Sequence, residues 1–497
     1  AVTADADATD TTGGYQRGNY ATLNPLSKGS DATLSNGNLD VSYGTSSTRG
    51  LTTATIGVSS GKFYWEATFT ASSATNTDGA VGITTTETGG TNYPGHQSTS
   101  WGYLGDGNKY NNGSGSSYGD TYGAGDVIGV AFDADNGTLE FYKNGVSQGE
   151  AYTGLTSGPY FAAVGDGGSS STFSASFNFG QMRFKYPIPS GYAALNTTAL
   201  PAATIADGSA QFDTKLYTGN GSTQTINGYE YSPDLVWIKN RNTSGYWHEL
   251  FDSVRGVSRR IFSNSTSAEN FRSGQGLTAF NNDGFTLTYV DANDNGNNSN
   301  GNTFVAWAWN AGSSTVSNTD GSITSSVRAN PTAGFSIVKA PITSSGGTIG
   351  PGLNASPGML ILKNIGSSST NWVIWHSSFS TNDYILLNST SAKANSVNLF
   401  NGNSSTTFTV GSGFAAGTAD YICYCFAPVS GYSAFGKYTG NSSSDGVFVN
   451  TGFRPAWLMV KSTNATGSWS IFDNKRDPFN VMDRFIYAEQ NFAEQDS

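Results

Sequence analysis

Three stretches in the second half of the chain spell one pattern: Pro233–Lys239 (PDLVWIK), Pro357–Lys363 (PGMLILK) and Pro455–Lys461 (PAWLMVK). In each, a lysine falls six residues after a proline, four consecutive apolar residues lie between them, and a tryptophan follows eight or nine positions later, at Trp247, Trp372 and Trp469. Short apolar runs bounded by proline and turn residues read as strands. Further coincidences tie the copies together. Tyr217–Asn220 (YTGN) recurs at Tyr438–Asn441, and an Asn-Ser-Thr-Ser-Ala box follows the lysine by 25 residues at both Asn264 and Asn388. The first two copies close on aromatic strands, Thr303–Trp309 and Tyr421–Phe426. The second half is therefore a tandem array, and repetition outside any catalytic cluster points to a chain that builds, extends and attaches. The third copy is short, with Lys461 only 36 residues before Ser497. It is expected to lack its closing strand and to leave an open sheet edge, capped by a partner chain or by further residues.

At 497 residues the chain exceeds one hydrophobic core. Charged residues are 12% and aromatics 13% of it, and rings set in short β-rich runs among Gly, Asn and Ser mark a many-stranded all-β protein rather than a disordered one. A formal charge of −11 with no basic run excludes sequence-independent nucleic-acid binding, which needs clustered cations to neutralise phosphates. No stretch is apolar enough to insert in a membrane as a helix, and the first residues lack the basic and apolar regions of a signal peptide. Cys423 and Cys425, two apart on one strand, face the same side and are poorly placed for a disulfide, so both read as free packed thiols.

Residues 1–14 read as a flexible acidic arm. Residues 15–197 then show strands and tight turns: GKFYWE at Gly61–Glu66, VGI at Val81–Ile83, SWGYLGD at Ser100–Asp106, GDVIG at Gly125–Gly129 and a hairpin from Phe132 to Gly145. Val127–Phe132 is apolar on both faces, as a central strand should be, while Leu139–Lys143 alternates. Asn136-Gly137 and Asn144-Gly145 are expected to supply the positive-φ residues that tight hairpins need. In this order the motifs resemble those of a SPRY domain, a concanavalin-A-like antiparallel β-sandwich. The resemblance implies a binding module that recognises partners through edge loops and has no catalytic residues. The expected architecture is thus all-β: a SPRY-like sandwich, a linker at 198–213, repeat 1 at 214–312, a connector at 313–334, repeat 2 at 335–428 and an incomplete repeat 3 at 429–497. A SPRY-like head followed by such repeats also resembles virion proteins of tailed phages, commonly of tail-fibre type.

Each candidate for chemistry has a plainer reading. His248 and His376 lie in repeats whose third copy has no histidine, so a shared metal site is not expected, and His96 stands apart. Glu66 could serve a glycosidase only with a second carboxylate nearby, and position 68 is Thr. Asp291–Gly296 starts like a calcium loop but has Asn302 where the bidentate Glu belongs. Most rings among Trp101, Tyr103, Tyr110, Tyr118 and Tyr122 are expected to pack on the sandwich. The loop 87–99 has no strand pattern to consume Asn92, Tyr93 and His96, which are the expected ligand-binding residues. No catalytic residue, metal or cofactor is expected.

These readings converge on a non-enzymatic virion protein, a tail-fibre or receptor-binding component. Its expected partners are other virion proteins and a host surface glycan or receptor, and the resemblance implies a homo-oligomer, often a trimer. A capsid decoration (cement) protein and a polysaccharide depolymerase are the alternatives.

Overall fold

The computed structural model describes residues 18–44, 50–72, 79–85, 92–156, 158–167, 172–200, 203–289, 295–443, 446–479 and 481–496. The acidic arm at 1–14 lies outside these residues. No described helix is long and apolar enough to cross a membrane. The chain forms two compact units, one of residues 1–202 with Tyr438–Gly452, the other of Ala203–Lys437 with Phe453–Ser497.

The first unit contains an antiparallel sandwich. One sheet runs in the order Ala32–Ser35, Asp40–Tyr43, Phe173–Asn178, Lys62–Ser72, Val127–Asp133, Thr138–Lys143, Val146–Tyr152. The other runs Leu51–Val58, Tyr160–Asp166, Gly79–Thr84, Ser100–Leu104, Asn108–Asn111, Ser114–Ser117. Phe63, Trp65, Phe69, Ile128, Val130, Phe132, Val81, Ile83 and Tyr103 fill the core. Val127–Asp133 is buried throughout, while Thr138–Lys143 carries Leu139 and Phe141 inward and its other residues at intermediate exposure, as their patterns require. Asn144 and Gly145 both adopt positive φ (51° and 80°) in the two-residue turn between Lys143 and Val146. The loop at 134–137 differs. There only Gly137 has positive φ, and Asp133 holds the turn by accepting from the backbone N–H groups of Asp135 and Asn136.

In the second unit each complete repeat is itself two-layered. Repeat 1 has a main sheet ordered Phe212–Thr218, Thr303–Trp309, Leu235–Asn240, Glu249–Asp252, and a small sheet of Thr223–Asn227, Gly284–Thr288 and Gly276–Asn281. Repeat 2 reproduces this with Phe335–Ile342, Ala419–Phe426, Met359–Asn364 and Val373–His376, covered by Gly347–Ile349, Phe408–Val410 and Phe400–Asn403. The proline–lysine strands of repeats 1 and 2 are buried throughout because both faces are covered. Val236 and Ile238, like Leu360 and Leu362, point to the small sheet of their own repeat, whereas Leu235, Trp237, Met359 and Ile361 enter a core common to all three repeats. Part of the expected connector is strand: Thr315–Asn318 and Ser325–Asn330 extend the sheet of repeat 2. The expected linker likewise ends inside the strand Phe212–Thr218.

Repeat 3 has a single sheet, Trp457–Val460, Ser470–Asp473, Arg484–Tyr487 and Gln495–Asp496. Among the described residues its proline–lysine strand pairs only with Ser470–Asp473. Among the described residues no small sheet covers its outer face, and Leu458 is 44% exposed.

Candidate functional site

The described part of the expected binding loop, 92–99, lies against the outer face of the six-stranded sheet. Glycines make this possible. A side chain at Gly102 would meet the Pro94 carbonyl oxygen at 2.0 Å, and one at Gly165 would meet Pro94 Cδ at 2.7 Å. Gly95, at φ +102°, lies against the Tyr110 backbone, and its N–H donates to Ser100 Oγ. The Gly113 N–H donates to the Gly95 carbonyl, so the loop is also tied to the hairpin beneath it. Of the three residues expected to bind ligand, Tyr93 is corrected to a packing residue. It is 5% exposed and clusters with Ala80, Leu104 and Tyr110, on a sheet where a side chain at Gly165 would meet Tyr93 Cα at 3.0 Å. Asn92 and His96 remain half-exposed on the loop, with the His96 ring edge-on to Tyr93 at 5.4 Å. Residues 87–91 of the same loop lie outside the described residues. Tyr103 and Tyr122 are buried in the sandwich core, and Trp101 and Tyr118 pack against it.

Glu66 is held by the backbone that follows the sandwich. Its carboxylate accepts the backbone N–H groups of Lys185 and Tyr186 (2.8 and 3.0 Å) and the Tyr64 hydroxyl, and burial raises its pKa. It clamps the chain that leaves the last sandwich strand. Asp291 and Asp294 of the calcium-like motif lie outside the described residues, and no cluster of metal-ligating side chains occurs among the described ones. Gly296, the last residue of the motif, and Asn297 pack on Glu249, which accepts from Asn297 Nδ2. Cys423 and Cys425 are free and buried.

The repeats meet through one contact made three times. Trp372 Nε1 of repeat 2 donates to the Phe262 carbonyl of repeat 1, and Trp469 Nε1 of repeat 3 donates to the Leu386 carbonyl of repeat 2. His248 Nε2 of repeat 1 meets the Tyr487 carbonyl of repeat 3 at 3.0 Å, which closes the ring. The backbone N–H of each ring residue is held by one acceptor: Asn264 for His248, Asn388 for Trp372 and Glu489 for Trp469. The repeated Asn box therefore orients the contact. The register differs by one residue from that read in sequence. Trp247 is 41% exposed, and the buried His248 takes the place of the repeat tryptophan.

Lys239 and Lys363 are buried with no acid beside them among the described residues, and Lys461 is half-buried near Glu489. Lys239 Nζ donates to the carbonyls of Asn240 and Tyr246, while Lys363 and Lys461 reach Thr266 and Thr390 of the preceding repeat. Burial pushes the Lys239 pKa down to about 7 and that of Lys363 to about 8.

Residues 207–497, more than half of the chain, match the family profile described as Domain of unknown function (DUF7483). The chain belongs to the DUF7483 family. Residues 62–182 match the SPRY domain, so the sandwich is a SPRY domain preceding the DUF7483 repeats. Similar curated proteins align with part of the chain. An E3 ubiquitin-protein ligase RKP of Arabidopsis thaliana is 42% identical over 72 residues, 14% of this chain and 6% of that protein. Protein ssh4 of Sclerotinia sclerotiorum is 36% identical over 125 residues, 24% of this chain and 23% of that protein. Among solved structures, the SPRY domain of human HERC1 is similar at 24% identity and a TM-score of 0.30, covering 32% of this chain and 99% of that one.

A second set of contacts links the DUF7483 repeats at the level of the closing strands. Trp307 Nε1, on the closing strand of repeat 1, donates to Asp473 of repeat 3 at 2.9 Å. The Tyr424 hydroxyl, on that of repeat 2, donates to Asp252 of repeat 1 at 2.9 Å. Both aspartates are fully buried and carry an arginine three residues on, Arg476 and Arg255, each at 2.5 Å. Sheet register places His376 of repeat 2 at the third equivalent position: Met359 pairs with His376 as Leu235 does with Asp252 and Trp457 with Asp473. Sequence reading missed this set. The signal available was the shared Asp-x-x-Arg spacing at 252–255 and 473–476.

Proposed function

We propose that this chain is a non-enzymatic attachment protein, whose SPRY sandwich recognises a surface glycan or receptor and whose DUF7483 repeats hold it to other structural proteins. The observation that carries this reading is the loop 92–99: a backbone pinned onto sheet glycines and to the hairpin below presents Asn92 and His96 from a rigid scaffold, as recognition loops do. Glu66, the residue that would have motivated a depolymerase, has its carboxylate consumed by backbone amides. The resemblance of the sandwich-plus-repeat arrangement to tailed-phage virion proteins favours a tail-fibre component over a soluble adaptor.

The test is to label the protein in intact particles and to measure cell attachment with and without the double substitution Asn92→Ala/His96→Ala. Tail-located label together with lost attachment supports the proposal. Label over the capsid shell would point to a decoration protein, and release of oligosaccharides from host glycans would overturn the non-enzymatic reading.

A further inference from the structure

We infer that the contact between repeats 3 and 1 is an acid-released latch: the closed array of repeats opens at that one seam when His248 takes up a proton. The three seams share a frame. At each, a backbone N–H just past the Asn box, or its counterpart in repeat 3, donates to the carbonyl two residues beyond the next repeat lysine: Glu269 to Ile365, Lys393 to Thr463 and Glu494 to Arg241. At each, one side-chain nitrogen also meets a carbonyl of the neighbouring repeat, but its chemistry differs. Trp372 and Trp469 use an indole N–H, which is a donor only and does not titrate, whereas the imidazole of His248 has two nitrogens and gains a proton near neutral pH in water.

Both nitrogens of His248 are committed in a way that only the neutral imidazole satisfies. Nδ1 accepts from Trp237 Nε1 at 2.9 Å, and Nε2 donates to the Tyr487 carbonyl at 3.0 Å. A proton added at Nδ1 would set N–H against N–H in a fully buried place. The charged groups facing the imidazole are cations, Lys239 on the strand that carries Trp237 and Arg476 from repeat 3. Asn264, from the chain packed beside it, accepts its backbone N–H. The carboxylates of repeat 3 at this seam are engaged elsewhere: Asp473 and Glu494 with Arg476, Glu494 also with Arg241, and Glu489 with the Trp469 N–H. An imidazolium here finds neither acceptor nor counter-charge, and burial already holds the pKa well below its ordinary value. Proton uptake therefore favours the state in which His248 is free in water. The seam between repeats 1 and 2 responds differently. Lys363 crosses it to the Thr266 carbonyl and also meets the Thr370 carbonyl and hydroxyl, three acceptors that suit an ammonium, so acid does not loosen it.

The experiment is hydrogen–deuterium exchange on the full chain between pH 7 and 5, resolved to single amides and corrected for intrinsic exchange. The equivalent amides Glu269, Lys393 and Glu494 report on one seam each, and Gly245, which donates to Asn491, is a second reporter of the latch. Protection of Glu494 and Gly245 should fall about 25-fold across this range, the factor set by an open-state pKa of about 6.5, while Glu269 and Lys393 keep theirs. The fall should vanish in His248→Gln, which does not titrate, and persist in Glu494→Gln, which removes the other acid-sensitive clamp of the seam. If His248→Gln does not fold, the contrast among seams in the native chain and the Glu494→Gln result decide the matter. Equal loss at all three seams, no loss at Glu494, a loss unchanged in folded His248→Gln, or one abolished by Glu494→Gln overturns the proposal.

Discussion

His248 and Lys239 show how a repeat converts burial into pH dependence. His248 Nδ1 accepts from Trp237 Nε1 at 2.9 Å and its Nε2 donates to the Tyr487 carbonyl, so the neutral ring is held and burial drives its pKa well below the usual value. A base depressed in the folded state contributes stability that is fully present above its unfolded pKa of about 6.5 and is lost as pH falls below it. The melting temperature should therefore drop between pH 7 and 5, and less steeply for His248→Gln than for the native chain. Lys239 acts in a higher window. With a folded pKa of about 7, its contribution is complete above about 10.4 and declines as pH falls to 7. Denaturation of Lys239→Met beside the native chain should show the native protein gaining on the variant as pH rises from 7 to 10. The lysine was visible as a fixed repeat position, but its lack of a counter-ion was not. The ring residue was misread for a related reason: Trp247 and His248 are adjacent, and only burial distinguishes the one that closes the contact.

Among elements, the loop 92–99 and the sandwich exit illustrate opposite fates for polar positions. Sequence marked the loop as free because it has no strand period, yet Tyr93 lies in a seat made by glycines distant in sequence, a contact that periodicity cannot register. The exit past Asn178 depends on Glu66. Glu66→Ala would leave the N–H groups of Lys185 and Tyr186 without their acceptor, at a cost of about 1–3 kcal/mol, read as a lower denaturant midpoint. The closing strands are more demanding. Asp473→Ala removes the partner of the buried Arg476 and the acceptor of Trp307 at once, and should destabilise the repeat unit by about 3–5 kcal/mol in chemical denaturation.

At the scale of the second unit, the array closes on itself. Repetition alone suggested modules that extend, but Arg241 of repeat 1 pairs with Glu494 of repeat 3 through two 2.9 Å hydrogen bonds, and the Gly245 N–H donates to the Asn491 carbonyl. Leu235, Ile361, Trp372 and Trp469 belong to one core, so no repeat buries its inner face without the others. The unit should consequently melt in one transition by calorimetry, and Trp469→Ala should shift that transition as a whole, by about 3–5 kcal/mol, instead of releasing repeat 3 separately. An early separate transition of residues 453–496 would contradict the shared core.

By itself the sequence determined the repeated proline–lysine strands, the β class and the SPRY sandwich, because strand period, turn residues and fixed spacing are local properties. Tertiary structure alone decided that the repeats close into a ring, that His248 stands where tryptophan does elsewhere, and that His376 takes the place of an aspartate. The ring contacts join residues 83 to 239 positions apart, and spacing along the chain carries no record of such meetings.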